Sequence, residues 1–212
     1  MTAVIAAAGS GERLGAGGPK AFVPLGGRPM IAWSLDACLA CEAVAGVVVA
    51  VPAGHEHGLE GVVVVDGGRT RAESVAIALA EVRTEFVAIH DAARPLLTAA
   101  LLEELVAALA ADPEAAAVIA AAPVTDTVKK VDGDRISETL DRSELWGAQT
   151  PQVFRTDALR AALDAHDAAT DEAMLIEAAG GKVLIHDPGA PNLKVTTPLD
   201  LRVAELLLAE RG

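Results

Sequence analysis

At 212 residues with a formal net charge of −13, the chain can bury one sizeable α/β core but lacks the basic face that a nucleic-acid duplex demands. Aromatic residues make up only 2%, which removes the usual stacking platforms for single strands. Hydrophobic residues reach 52%, yet no apolar run attains membrane-spanning length uninterrupted and no basic leader precedes an apolar core, so the sequence predicts a cytoplasmic protein without nucleic-acid or membrane partners.

The chain begins with its most informative stretch. Ala3 to Ala8 is apolar and uncharged, the pattern of a strand buried on both faces. Gly9, Gly11, Gly15, Gly17 and Gly18 follow, and Arg13 and Lys20 are the only cations among them. A strand that empties into a glycine loop with isolated cations suits a phosphate group. The alternative is a glycine-rich turn with two solvated cations. Two familiar templates do not fit. Gly9-Ser10-Gly11-Glu12-Arg13 runs into Leu14 and breaks G-x-G-x-x-G, which disfavours a nicotinamide dehydrogenase. The only Gly-Lys pair, Gly181-Lys182, precedes Val183 instead of Ser or Thr.

Pro29 to Leu39 reads as the first helix, with proline in its first turn. Cys38 and Cys41 form a lone C-x-x-C without the second pair or the histidines that a zinc site needs, and read as buried or half-buried free thiols. Val47 to Val51 is a strand, followed by an exposed polar loop holding His55 and His57. Gly61 to Val65 is another, flowing into Asp66-Gly67-Gly68-Arg69-Thr70-Arg71 and a helix from Ala72 to Val82. This is a second strand–glycine–cation–helix junction; its alternative is a capping turn with Ser74 in the first helical turn.

Phe86 to His90 is a buried strand, and Asp91 stands at its end before Ala92-Ala93-Arg94-Pro95. Carboxylates at the ends of parallel strands face the ligand crevice, and beside a triphosphate such an aspartate is a site for Mg²⁺. The alternative is an Asp91–Arg94 bridge within the turn. A helix from Leu101 to Leu109 and a strand from Ala116 to Ala121 follow. From Val124 to Gln149 the rhythm changes: Thr125 to Val131 alternates, Asp132-Gly133-Asp134 is a hairpin turn, and Arg135 to Leu140 alternates again. This reads as an antiparallel arm, suited to packing on a second subunit. Thr150-Pro151-Gln152 then returns to the body, with helices at Thr156 to His166 and Asp171 to Ala179 and strands at Lys182 to His186 and Asn192 to Val195. Thr196-Thr197-Pro198 caps a last helix with the apolar stripe Leu199, Val203, Leu206 and Leu207. With no internal repeat and no linker, residues 1–212 read as one domain.

Ala7-Ala8-Gly9-Ser10-Gly11-Glu12-Arg13-Leu14 with Pro19-Lys20 resembles the signature loop of nucleotidyltransferases that activate sugar phosphates. The further set comprises Asp66-Gly67-Gly68 with Arg71 and Ser74, His90-Asp91-Ala92-Ala93-Arg94-Pro95, Ala122-Pro123-Val124 with Asp126-Thr127, Asp141-Arg142, Thr150-Pro151-Gln152, Thr170-Asp171-Glu172-Ala173 and Lys194-Val195-Thr196. In order, and over essentially the whole chain, it resembles the 2-C-methyl-D-erythritol 4-phosphate cytidylyltransferase family of the non-mevalonate isoprenoid pathway. Ala6, where that family often has proline, and Arg69, where an acid often follows the glycines, depart from the pattern. The resemblance implies a Rossmann-like three-layer α/β fold of the nucleotide-diphospho-sugar transferase type, with a mixed, mostly parallel sheet. It also implies a projecting β-arm at about 124–149 that forms a homodimer. The implied reaction moves CMP from CTP to the methylerythritol phosphate, using Mg²⁺ or another divalent cation and releasing pyrophosphate. Ribitol 5-phosphate or another polyol phosphate is the alternative acceptor.

By the same resemblance, Arg13 and Lys20 stabilise the transition state. Arg142 and Lys194 orient the substrate phosphate, and Thr127 and Arg142 do so from the arm in the neighbouring subunit's site. Gly68 and Ser74 lie near the cytosine, and Ala7, Ala8, Gly9, Gly11 and Ala92 complete the nucleotide site. Asp91 sits by the metal and ribose, while Arg94, Thr150 and Thr170 serve the acceptor pocket. A phosphate monoester is already ionised when it attacks the α-phosphorus, so such a site needs fixed positive charge more than a base.

Overall fold

The structure, a computed structural model, describes residues 1–9, 11, 18–165 and 171–211. In chain order, β1 (Thr2–Ala6) leads to a small ribbon of β2 (Pro24–Leu25) and β3 (Arg28–Pro29), then α1 (Met30–Ala40), β4 (Gly46–Val51) and β5 (Val63–Asp66). Next come α2 (Arg71–Leu79), β6 (Phe86–Asp91), α3 (Ala99–Ala111) and β7 (Ala115–Pro123). A hairpin of β8 (Lys129–Asp132) and β9 (Arg135–Thr139) precedes β10 (Trp146–Arg155), α4 (Thr156–Ala165), α5 (Glu172–Ala178), β11 (Lys182–His186) and α6 (Pro198–Ala209).

Among the described residues, seven strands make one sheet in the order β11-β7-β10-β6-β1-β4-β5. β10 runs antiparallel between β6 and β7, and the other pairings are parallel. Successive side chains on a strand point to opposite faces, and here both faces are covered. Ala3 and Ile5 pack with Ile31 and Leu35 of α1 and Leu102 and Leu105 of α3. Val4 faces the other side, with Val75 and Leu79 of α2, Leu159 of α4 and Ile176 of α5. A third cluster, including Leu25, Met30, Leu96, Ala204 and Leu208, seats α6. The result is the expected three-layer, mostly parallel α/β fold, with the carboxyl ends of β1 and β6 side by side at one edge.

Three expectations change. The segment around Thr150-Pro151-Gln152, expected only to return to the body, is part of β10, a long strand in the middle of the sheet that already begins at Trp146, inside the expected arm. Gly147 and Pro151 give it the composition of a loop, and proline cannot donate to a ladder; the register with β7 shifts between Ala148 and Gln152, which accommodates it. Asn192 to Val195 forms no strand. The Val195 amide donates to the Ala93 carbonyl at 2.8 Å, so single bonds, and no ladder, fasten this segment to the turn after β6. Most of the stripe on α6 faces outward: Leu199, Val203 and Leu206 are 61%, 39% and 67% exposed, while Leu207 is half-buried against the third cluster and Ala204 and Leu208 are buried. The capping box between Thr197 and Asp200 sets where this helix begins, and the small Ala204 sits on the face that meets the third cluster.

The hairpin turns at Gly133 and stands apart as its own two-stranded sheet. Cys38 and Cys41 are buried free thiols, and burial pushes Cys38 up to about 12, far from thiolate reactivity. His55 packs edge-on against Phe22 with ring centroids 4.4 Å apart, and His57 Nδ1 accepts from the Leu59 amide. Among the described residues, no helix is long and apolar enough to cross a membrane.

Candidate active site

β1 ends at Ala6, and Gly9 and Gly11 follow it. Gly11 has φ +76°, and a Cβ on it would meet the Gly18 carbonyl oxygen at 2.8 Å, so the backbone crossing there requires glycine. The Lys20 amide donates to the Gly9 carbonyl at 3.2 Å, which draws the two ends of the loop together. After β5, the Gly68 amide donates to Ser74 Oγ at 3.1 Å, and that hydroxyl donates to the Thr70 carbonyl at 2.8 Å. A Cβ on Gly68 would lie 2.3 Å from Glu73 Cβ, so glycine is what lets this loop fold onto the first turn of α2. Thr70 caps that helix by accepting from the Glu73 amide, which is why it begins at Arg71, one residue before the expected start.

These two junctions and the end of β6 enclose a cavity of about 450 Å³, within the range of small-ligand sites, lined among others by Ala8, Gly9, Lys20, Gly68, Ser74 and Asp91. Beside it lies a hollow of about 250 Å³ reaching Arg94, Thr150, Gln152 and Asp171. Arg71, Asp91 and Lys194 line both, forming the partition between them.

That partition is an ion-pair cluster. Asp91 Oδ1 accepts from Arg71 Nε at 2.8 Å and Oδ2 from Lys194 Nζ at 2.6 Å. Arg71 Nη1 also donates to both carboxylate oxygens of Glu172 at 2.7 Å. Burial opposes ionisation of Asp91, but Arg71 and Lys194 together outweigh it and hold the carboxyl well below the usual range. For Glu172 the balance tips the other way: burial raises its pKa and Arg71 offsets this only in part. Arg94 donates from Nη1 to the Asn192 carbonyl at 2.6 Å, and its buried Nε has no partner among the described residues. The turn after β6 closes through the Arg94 amide and the Asp91 carbonyl at 2.9 Å, but the Asp91 carboxylate takes its cations from elsewhere, so the alternative Asp91–Arg94 bridge does not form.

Behind Asp91, its own amide donates to Thr150 Oγ1 at 3.0 Å, which lies 3.2 Å from His90 Nδ1, and His90 Nε2 lies 3.1 Å from the Arg94 carbonyl. A carbonyl can only accept, so Nε2 carries the proton and Nδ1 accepts from the threonine hydroxyl. Burial pulls the His90 pKa down to about 4, consistent with a neutral ring.

Of the residues singled out in the sequence, Ala8, Gly9, Lys20, Gly68, Ser74, Asp91 and Lys194 line the cavity, and Arg94 and Thr150 the adjoining hollow. Ala7 and Ala92 line neither space: both are buried, their amides bonded to the Ala50 and Ala6 carbonyls. Thr127 and Arg142 are elsewhere: both are exposed, and Arg142, which donates to the Thr125 carbonyl, lines a hollow with Val124 and Trp146 that shares no residue with the other two. Arg13 and Thr170 lie outside the described residues. Arg71, Glu172 and His90 stood in quoted motifs without a role. An acid opening a helix reads as a complement to the helix dipole, and nothing local signals that it will be buried against an arginine 101 residues away. Among the described residues, no group of three or more His, Cys, Asp or Glu could cage a metal, and Asp91 is the carboxylate on the cavity lining. A Mg²⁺ there would share Asp91 with Arg71 and Lys194, which already take both of its oxygens, and would draw the rest of its shell from substrate phosphates and water.

The family model described as IspD, 2-C-methyl-D-erythritol 4-phosphate cytidylyltransferase, matches residues 1–210. The chain belongs to this family. Family proteins named 2-C-methyl-D-erythritol 4-phosphate cytidylyltransferase include one from Parasynechococcus marenigrum (strain WH8102), 47% identical over 226 residues that span 100% of this chain and 99% of the relative. Another, from Nocardia farcinica (strain IFM 10152), is 44% identical over 223 residues, covering 100% and 95%. The crystal structure of the family enzyme from Thermus thermophilus superposes with a TM-score of 0.84 at 33% identity, covering 98% of each chain.

Proposed function

We propose that the protein transfers the cytidylyl group of CTP to 2-C-methyl-D-erythritol 4-phosphate, giving 4-diphosphocytidyl-2-C-methyl-D-erythritol and pyrophosphate. The observation that carries this reading is the cavity where the glycine loop, Lys20, Asp91 and Lys194 meet beside the Gly68–Ser74 turn. The acceptor's phosphate oxygen forms a bond to the α-phosphorus, and the bond to the bridging oxygen of the β-phosphate breaks, its electron pair leaving with pyrophosphate. Lys20, with Arg13, stabilises the charge that develops, as preorganised cations do best in a closed site. Lys194 holds the acceptor phosphate at the partition, and Arg94 and Thr150 line the acceptor's side. The Gly68–Ser74 turn takes the cytosine, where a backbone carbonyl accepting from the exocyclic amine would discriminate against uracil. Asp91, together with oxygens of the triphosphate, would hold Mg²⁺, which would supply charge neutralisation of the triphosphate.

The acting unit in this reading is a homodimer of single-domain chains joined through the arm at 124–149. Its support is the separation of Arg142 from the cavity, together with a hairpin whose apolar Val131 and Ile136 stand 61% and 63% exposed. Two free cysteines suit the cytoplasmic location that goes with it. Pyrophosphate release with CTP and Mg²⁺ tests the function, with the methylerythritol phosphate and ribitol 5-phosphate as competing acceptors. Release with the first is expected; preference for the second, or silence with both, overturns the assignment.

A further inference from the structure

Glu172 is 2% exposed, opens α5, and lines neither the cavity nor the adjoining hollow. Its single described partner is Arg71, whose Nη1 lies 2.7 Å from both of its oxygens while Nε reaches Asp91. A buried ion pair is a poor source of stability, since apolar side chains of similar volume often do as well or better. What this pair does supply is geometry. One guanidinium ties the start of α2 to the end of β6 and the start of α5, and it divides its charge between two acids. Asp91 is thereby left with one oxygen for Arg71 and the other for Lys194. Without the Glu172 charge, all of Arg71's attraction falls on Asp91, in direct competition with Lys194.

We infer that Glu172 is a positioning residue for the transfer reaction, acting through Arg71 to keep Asp91 shared with Lys194; the inference rests on the proposed function. Glu172→Gln keeps the shape and removes one negative charge beside a polyanion site. Electrostatics alone therefore leaves CTP affinity unchanged or tighter, while the misplaced Lys194 slows the chemical step. The expected result is a fall in kcat of at least about 10-fold, with the calorimetric Kd for CTP within about 3-fold of wild type or tighter and full binding stoichiometry. If Glu172 acts through Arg71, then in an Arg71→Lys background the same substitution costs less than about 2-fold more. Where Glu172→Gln does not fold, Glu172→Asp, which keeps the charge on a shorter stem, is read by the same split. Multiplying effects of the two substitutions, or kcat and CTP stoichiometry falling together as for a partly unfolded protein, overturn the inference while the function stands. A wild-type protein silent in pyrophosphate release overturns the function and this inference with it.

Discussion

His90→Gln offers a direct test of the hydrogen-bond chain behind the site. Glutamine can still donate toward the Arg94 carbonyl but cannot titrate. In the folded chain His90 is fully buried, its Nδ1 occupied as an acceptor and its pKa pulled down to about 4 from 6.5. Between those values the unfolded chain binds a proton that the native state excludes, so stability rises with pH across this window and falls as pH drops through it. The gap corresponds to about 3 kcal/mol, lost progressively from about pH 6.5 to about pH 4. The assay is urea denaturation of wild type and variant at half-unit steps from pH 4 to 8; other groups cancel in the difference. The wild-type advantage should grow by about 3 kcal/mol between pH 4 and 6.5 and be flat above pH 7. A difference independent of pH would refute the buried neutral imidazole and, with it, the assigned direction of the chain from Asp91 to Arg94.

Lys20→Ala should lower turnover by about 10²–10³-fold, the usual loss when one preorganised transition-state contact is removed; unchanged kcat in steady-state assays would remove Lys20 from the chemistry. Mixing Lys20→Ala with Arg142→Ala chains should restore up to about a quarter of wild-type activity, because half of a random set of dimers then holds one intact composite site. Mixtures no better than their parents count against an arm that works in the neighbouring subunit. Gly68→Ala must push a methyl into Glu73, with 2.3 Å available, so CTP binding measured by calorimetry should weaken while the acceptor's affinity changes little. Unaltered CTP affinity would mean that the base does not sit on this turn.

Much of the site was legible because its chemistry is local in sequence. The strand, glycine and cation run from Ala3 to Lys20, the Gly67-Gly68 turn and the strand-ending Asp91 each announce themselves through composition and periodicity. A glycine is needed wherever the backbone must cross at a positive φ or come within contact of a neighbour, so such positions appear in the chain itself. Three things depended on long-range packing. β10 carries a proline and a glycine, and only its two neighbours make it a central strand. The α6 stripe has helical spacing on the wrong face, because amphipathic period does not say which side meets the core when Ala204 allows the closer approach. The roles of Arg71 and Glu172 arise where α2, β6 and α5 converge. The layers, the glycine turns that line the cavity and the family could all be read along the chain, since turn geometry and strand periodicity are short-range properties. How the charges are shared could not, because a buried ion pair is defined by partners that folding brings together from 20 and 101 residues apart.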